Sequence, residues 1–239
     1  MLKEQQVELE QFLKSTKVGD NYELLPVQSG RNSQVFKVHR SSGDWLLKKY
    51  HQHPEDKRDR LGTEFGFLQF LWGKKIRQIP EPIICDRVHH LGIFSFIKGS
   101  RPKEVEPRHI SQAVQFILQI NQFRECAGDS TLPNASEACF SVGEHLNSVD
   151  HRLKNLTCLE GDSELVKQAQ EFVEKCLIQK WSQVKEHIEK VIRKNNFEES
   201  LSQEERILSP SDFGFHNTLE SEQGDLSFID FEYAGWDDP

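Results

Sequence analysis

The chain has 239 residues, enough for one large domain or two lobes, and a net charge of −8 with 28% charged residues. An acidic chain without clustered Lys and Arg does not suit nucleic acid or an anionic membrane surface as a partner. No apolar run approaches the roughly 20 residues of a membrane span, and the amino terminus is too polar for a signal peptide. The five cysteines form no C-x-x-C pair, which indicates reduced thiols. We therefore expect a cytoplasmic protein.

Hydrophobic periodicity predicts strands mainly at the front of the chain and helices after it. A stripe of apolar residues at helical spacing between residues 164 and 194 is the core-facing side of a helix, with a solvated charged face opposite. The predicted helices cover residues 3–17, 57–73, 110–124, 140–159 and 163–197, and the predicted strands lie within 22–50 (three strands) and near 83–87 and 90–97.

The segment from Val27 to Val38 reads as strand, tight turn, strand, with the small and polar residues Gly30, Asn32 and Ser33 at the tip. Such a loop can lay backbone N–H groups over nucleotide phosphates. A single glycine is less than the G-x-G-x-x-G form, and most turns of this kind are plain hairpins. The loop therefore becomes informative only together with the strand and helix that come after it in the chain.

The next strand is apolar and ends in two lysines, Lys48 and Lys49. A lysine on such a strand can reach the α- and β-phosphates of a nucleotide if an acid from a neighbouring helix fixes it. Glu64 is that acid, beside the apolar face of the predicted helix. Strand alternation sends the two lysines to opposite faces, so the pattern does not choose between them.

The last thirty residues carry the most chemistry. Asp212 and Asn217 form a D-x-x-x-x-N pair, and Asp230 lies thirteen residues after Asn217 inside an apolar run. Phosphoryl transfer uses one carboxylate to accept the proton of the attacking hydroxyl, and an amide with a second carboxylate to hold Mg²⁺. A loop and then a β-hairpin would bring these residues together. We expect Asp212 to be the base and Asn217 and Asp230 to be metal ligands.

The same segment also spells the D-F-G of protein kinases at Asp212–Gly214, whose Asp binds metal. That interpretation needs a catalytic loop shortly upstream, and the only candidate is the pair Asp150 and Asn155. This pair lies about sixty residues too early, in a stretch that reads as helix. The D-F-G interpretation is therefore disfavoured.

From residue 22 to residue 239, these motifs resemble the aminoglycoside phosphotransferase and choline kinase-like family, the small-molecule branch of the protein-kinase-like fold. The resemblance implies an α+β, bilobal architecture, with residues 1–97 as a nucleotide-binding lobe and residues 98–239 as a mainly helical lobe. It also implies transfer of the γ-phosphate of ATP, with Mg²⁺, to a hydroxyl of a small molecule. It favours Lys48 over Lys49 and assigns adenine to the backbone of a linker between the lobes: Ser95, Phe96 and Ile97.

The sequence departs from this pattern at two places. The family usually has His-Gly before the catalytic aspartate, where this chain has Pro210 and Ser211, and family members usually continue with further helices beyond the position of Pro239. We therefore expect a fragment. Two alternatives remain: a kinase-like module that holds nucleotide without transferring phosphate, and, last, a protein kinase, which would need an A-P-E segment after Asp230. The acceptor (sugar, aminoglycoside, amino alcohol or nucleoside-like alcohol), the choice of ATP or GTP and the oligomeric state stay open.

Overall fold

The computed structural model describes residues 3–16, 21–27, 32–53, 56, 58–128, 131–195 and 200–239. The helices are α1 (Lys3–Ser15), α2 (Arg60–Gly73), α3 (Pro107–Asn121), α4 (Arg124–Ala127), α5 (Val142–Thr157), α6 (Glu164–Phe172) and α7 (Ile178–Asn195), with a π-helical turn (Val173–Leu177) between the last two. The strands are β1 (Tyr22–Pro26), β2 (Ser33–Arg40), β3 (Trp45–Tyr50), β4 (Pro82–Asp86), β5 (Leu91–Ser95), β6 (Ile207–Ser209), β7 (Thr218–Glu220), β8 (Leu226–Phe228) and β9 (Gly235–Asp237). The predicted helices and strands are present, and the α+β class is confirmed.

The first five strands form one antiparallel sheet in the order β1-β2-β3-β5-β4. Gly43 turns the chain from β2 into β3 with a φ of +117°, which a residue with a side chain rarely adopts. Apolar side chains alternate along the strands, so that one face of the sheet is covered by α1. The cluster that joins them contains Leu9, Phe12 and Leu13 of α1 and Phe36, Val38, Leu47, Leu91 and Ile93 of the sheet.

Helix α2 begins after Asp59, whose side chain accepts a hydrogen bond from the Gly62 N–H at 2.9 Å. One face of this helix is buried, and it includes a charged residue, Glu64, among the apolar ones. Because residues three and four positions apart share a helix face, Glu64 points the same way as Leu61 and Leu68. The sequence thus places a carboxylate on the buried side of α2.

Helix α3 supports the short strands at the end of the chain. The Asn121 side chain donates to the Leu208 carbonyl at 2.9 Å and accepts from the Leu208 N–H at 2.8 Å, which fixes β6. β6 pairs with β9, and β7 pairs with β8 as a hairpin. The Phe116 ring stacks on Phe228, with centroids 4.2 Å apart, and on Phe213 at 6.0 Å. An aromatic cluster therefore lies beneath the segment that carries the predicted site.

Compact contacts divide the chain into two units, residues 1–137 with 207–237, and residues 138–206 with 238–239. The lobe boundary expected between residues 97 and 98 stays a prediction.

In the second unit Asp150 lies within α5 and accepts hydrogen bonds from Trp181 at 2.7 Å and Lys185 at 2.5 Å. This helical position agrees with the prediction that Asp150 and Asn155 form no catalytic loop. No helix of the described residues has the length and apolar character needed to cross a membrane.

We predict that Phe116→Ala lowers the free energy of unfolding by about 3–5 kcal/mol, because the fully buried ring leaves a cavity under the β7–β8 hairpin. Urea denaturation at 25 °C measures the change. Phe172→Ala is the matched control, since that ring is 58% exposed, and its effect should stay within about 0.5 kcal/mol. Equal effects of the two substitutions would contradict the aromatic cluster described above.

Candidate active site

The two lysines at the end of β3 differ in their partners. Lys48 is buried, and its Nζ lies 2.7 Å from Glu64 Oε2 of α2. The Tyr50 hydroxyl donates to the same Glu64 oxygen at 2.5 Å. Lys48 and Tyr50 share one face of β3, whereas Leu47 lies on the other face, in the cluster with α1. The structure therefore pairs Lys48, rather than Lys49, with Glu64.

Asp230 completes this group from the far end of the chain. Its Oδ1 lies 2.8 Å from Lys48 Nζ, so one ammonium joins β3, α2 and the segment after β8. Burial by itself would lower the pKa of Lys48, but the carboxylates of Glu64 and Asp230 outweigh it, so the pKa of Lys48 is raised and the side chain stays charged. Burial and the Glu64 carboxylate likewise raise the pKa of Tyr50, whose hydroxyl keeps its proton.

Asp212 lies in the loop after β6. Its Oδ1 is 3.1 Å from His216 Nε2, and its backbone carbonyl and Oδ2 accept from Asn217 Nδ2 at 3.0 and 3.3 Å. Half of the Asp212 side chain is exposed, so the carboxylate is open to a substrate. Ser211 has a φ of +66°, a left-handed conformation that favours glycine. Ser211, which stands where the family usually has glycine, thus has a side chain at a backbone conformation that favours glycine.

The β7–β8 hairpin brings Asn217 and Asp230 together. Asn217 directly precedes β7, Asp230 lies just after β8, and the Ile229 N–H donates to the Asn217 carbonyl at 3.0 Å. Asn217 is buried and directs its Nδ2 at Asp212, so its Oδ1 is the atom left for a cation. Asp230 has a φ of +70°. Ser211 and Asp230 both have a side chain and a positive φ. Such backbone conformations often occur at functional sites, where the surrounding structure holds them.

Glu232 is a residue that the sequence analysis missed. It is 4% exposed, and its Oε2 has no hydrogen-bond partner among the described residues. Burial and the nearby Asp230 charge raise the pKa of Glu232, against the opposing effect of Lys48. Oxygen atoms of Glu64, Asp230 and Glu232 lie within 4.8 Å of one another. The signal in the sequence was the spacing of two acids in Asp230-Phe-Glu232, which places them close together after the hairpin.

The remaining predicted nucleotide contacts are only partly described. Gly30 lies outside the described residues. The Asn32 side chain donates to Glu232 Oε1 and to the Tyr233 hydroxyl, both at 2.6 Å, and Ser33 is buried at the start of β2. These bonds join Asn32, directly before β2, to the segment after Asp230.

In the linker, two of the three predicted residues already use their backbone N–H groups. Ser95 donates to the Glu81 carbonyl at 2.9 Å, and Phe96 donates to the Asp44 carbonyl at 3.4 Å. The adenine contacts assigned to Ser95, Phe96 and Ile97 stay predictions, as do the roles of the other site residues.

Comparison with known proteins identifies the family of this chain. The model of the phosphotransferase enzyme family (APH) matches residues 23–239, nearly the whole chain. The chain belongs to this phosphotransferase family. A search of curated proteins found no match.

Solved structures of other proteins have a similar, protein-kinase-like fold. Spectinomycin phosphotransferase in complex with ADP and spectinomycin has a TM-score of 0.63 at 15% identity, over 97% of this chain and 70% of that one. Choline kinase from Cryptosporidium parvum has a TM-score of 0.61 at 17% identity, over 98% and 65%. The ternary complex of streptomycin, ATP and APH(2")-IIa has 0.57 at 18%, over 97% and 71%. The resemblance and the kinase-like fold expected from the sequence are confirmed.

We predict that Glu232→Gln raises the free energy of unfolding of the nucleotide-free protein at pH 7 by roughly 1–3 kcal/mol, because it removes a buried charge whose Oε2 has no partner among the described residues. A raised carboxyl pKa favours the folded state at acid pH and costs stability as the pH rises through the folded pKa. The gain of Glu232→Gln should therefore shrink as the pH falls toward 4.5. Thermal melts between pH 4.5 and 8 measure it.

The exposed Glu222→Gln is the control, with an expected change within about 0.5 kcal/mol at every pH. A Glu232→Gln variant that is less stable than the starting protein at pH 7 would mean that the hydrogen bond from Asn32 and the ion pair with Arg60, both at Oε1, outweigh the cost of the Oε2 that has no partner among the described residues.

Proposed function

We propose that this protein is an ATP-dependent phosphotransferase that moves the γ-phosphate to a hydroxyl of a small molecule. The observation that carries the proposal is the group joined by Lys48: a buried ammonium bound to Glu64 and to Asp230, which lies beside the Asp212–Asn217 loop. Phosphoryl transfer needs little covalent chemistry from the protein and depends on charge placed around the phosphates. The family match and neighbours bound to adenine nucleotides support it.

In this proposal Lys48 turns from Asp230 toward the α- and β-phosphates, while Glu64 and Tyr50 keep it in place. The loop at Gly30, Asn32 and Ser33 covers the phosphates with backbone N–H groups. Adenine binds at the linker, where the Ile97 backbone is the best-placed donor because Ser95 and Phe96 already donate elsewhere.

The donor set fits Mg²⁺, because this cation prefers hard oxygen ligands such as carboxylates and amide carbonyls. Asp230 and Asn217 would hold it, and the buried Oε2 of Glu232 offers a third oxygen. When bound, Mg²⁺ neutralises charge on the phosphates. The orientation of the Glu232 carboxylate is fixed by its other oxygen, Oε1, which accepts a hydrogen bond from Asn32.

Asp212 is the proposed general base. One hydrogen bond from Asn217 Nδ2 to Oδ2 orients its carboxylate, and its exposed half leaves room for the acceptor. As the acceptor oxygen bonds to the γ-phosphorus, its proton passes to Asp212, the bond from that phosphorus to the β–γ bridging oxygen breaks, and ADP leaves. The atoms and charges balance without a further reactant.

The related proteins suggest the class of acceptor. Structures of related proteins carry spectinomycin or streptomycin, and others are choline and ethanolamine kinases. We expect an alcohol on an aminoglycoside, sugar or amino alcohol, and a cytoplasmic enzyme without nucleic-acid or membrane partners. The second candidate, a module that binds nucleotide without transferring phosphate, is favoured by the strained Ser211 before Asp212.

We predict that Asp212→Asn and Asp230→Asn fail differently. Asp212→Asn keeps size and hydrogen bonding but loses the proton acceptor, so acceptor phosphorylation should fall by at least about 100-fold with Mg·ATP affinity nearly intact. Asp230→Asn removes an anionic ligand, so the gain in ATP affinity caused by Mg²⁺ should fall together with turnover. Asn217→Ala should lie between them.

The measurements are calorimetric ATP binding with and without Mg²⁺, and ADP release in a panel of aminoglycosides, sugars and amino alcohols. Mg²⁺-dependent ATP binding with no ADP release for any acceptor would favour the non-transferring module. Loss of Mg·ATP binding in Asp212→Asn but not in Asp230→Asn would exchange the two roles and revive the D-F-G interpretation.

We also predict that Lys48→Met weakens ATP binding by at least about tenfold, because the phosphates lose their buried cation. Lys49→Met is the matched control on the adjacent residue of β3, and its ATP affinity should stay within about twofold. Fluorescence titration with an ATP analogue measures both. If Lys49→Met has the larger effect, Lys48 is a structural lysine and the phosphate contact belongs elsewhere.

A further inference from the structure

His109 is a buried histidine that the mechanism above does not use. It lies in the first turn of α3 and is 1% exposed. Its Nδ1 accepts a hydrogen bond from the Glu106 backbone N–H at 3.0 Å, and its Nε2 lies 3.3 Å from Glu220 Oε1 in β7. Because Nδ1 accepts, the ring proton must be on Nε2, which then donates to the carboxylate. The two bonds fix both the tautomer and the orientation of the ring.

The start of α3 holds the β7–β8 hairpin at several further points. Arg108 Nη1 lies 2.6 Å from Glu220 Oε1, and the Arg108 side chain also donates to the Glu106 carboxylate, which braces this pair. Arg108 and His109 keep the pKa of Glu220 below its usual value, so the acceptor stays ionised. The Gln112 side chain donates to the Gly224 carbonyl at 3.0 Å and accepts from the Leu226 N–H at 2.8 Å.

The chain just before α3 contacts the same residue of the hairpin. Ser100 and Glu220 exchange backbone hydrogen bonds of 2.8 and 3.1 Å. Gly99 comes so close to Glu220 that a Cβ on it would lie 2.7 Å from the Glu220 carbonyl oxygen. The His109 ring also lies against Phe215 of the Asp212 loop, with centroids 6.3 Å apart. One buried imidazole therefore contacts the hairpin on one side and the loop on the other.

We infer that His109 is a positioning residue: it fixes the β7–β8 hairpin and, through it, the side chains of Asn217 and Asp230. The hairpin is the covalent path between these two residues, and its strands have three residues each, so its own ladder gives little rigidity. Partners hydrogen-bonded to metal ligands typically change metal affinity 10–100-fold when they are removed, and His109 acts one contact further away, through Glu220, so its effect belongs at the low end of that range. The inference rests on the proposed function for the meaning of Asn217 and Asp230.

The test uses His109→Leu, which keeps volume but loses both hydrogen bonds, and His109→Gln, whose amide can still donate to Glu220. Val38→Ala, in the buried sheet cluster, serves as a control for general loss of stability. Two quantities are measured well below the melting temperature. The first is ADP affinity with and without Mg²⁺, by calorimetry. The second is NMR amide exchange of Ile229, which bonds Asn217, and of Leu47 in β3.

We expect His109→Leu to reduce the gain in ADP affinity caused by Mg²⁺ about tenfold, with Mg²⁺-free affinity unchanged, and to speed exchange at Ile229 but not at Leu47. His109→Gln should recover part of both effects, and Val38→Ala should show neither. Equal acceleration at Ile229 and Leu47, or a Mg²⁺ effect identical to that of the unsubstituted protein, would overturn the inference. If the unsubstituted protein binds ADP without any Mg²⁺ effect, the proposed function fails, and the exchange at Ile229 still decides whether His109 holds the hairpin.

Discussion

The buried ammonium of Lys48 is the interaction on which the rest of this site depends. Burying an unpaired ammonium would cost too much free energy, so Lys48 requires carboxylates beside it. A buried carboxylate would in turn be disfavoured if no cation were close to it. Glu64 and Asp230 supply them from α2 and from the end of the chain, 16 and 182 residues away in sequence. The buried charges of Lys48 and Glu64 depend on each other, and the partly exposed carboxylate of Asp230 gives Lys48 a second anionic partner, so the geometry of the group is specific.

This mutual dependence leaves Asp230 with two possible partners. Asp230 neutralises Lys48 in the structure, while its oxygen chemistry also suits a divalent cation. Phosphates entering the site would give Lys48 a new anionic partner and release Asp230 for the cation. Nucleotide and metal binding would then be coupled through the Lys48–Asp230 ion pair, because the phosphates would replace Asp230 beside Lys48 and the cation would replace Lys48 beside Asp230.

Glu232 is a second buried charged group of this site, and it contacts Asn32. One of its oxygens accepts from Asn32, which precedes β2, and the other is buried without a partner among the described residues. A carboxylate in this state lowers stability at neutral pH, as its raised pKa indicates. Proteins retain such groups where function compensates for the loss. A cation bound by Glu232 would satisfy the unpartnered oxygen and affect the loop through Asn32.

The sequence by itself determined the class of fold and the family, and it predicted the chemistry. Alternating and helical periodicities located the five strands of the large sheet and the longer helices, because burial of one face imposes these periods directly. The D-x-x-x-x-N pair with Asp230 thirteen residues later indicated phosphoryl transfer, since residues that share a cation must come from segments that a short hairpin can join. The spacing of these motifs identified the family that the comparisons show.

Only the tertiary structure decided the points that depend on which groups meet across the chain. Strand alternation made Lys48 and Lys49 equivalent candidates, and the choice required the position of α2 over one face of β3. The hydrogen bond from Asn32 to Glu232 and the contact of His109 with Glu220 join residues 200 and 111 positions apart, for which local patterns carry no information. Burial and hydrogen bonding at such separations are properties of the folded chain, because they are set by packing between elements and not by the order of residues within one.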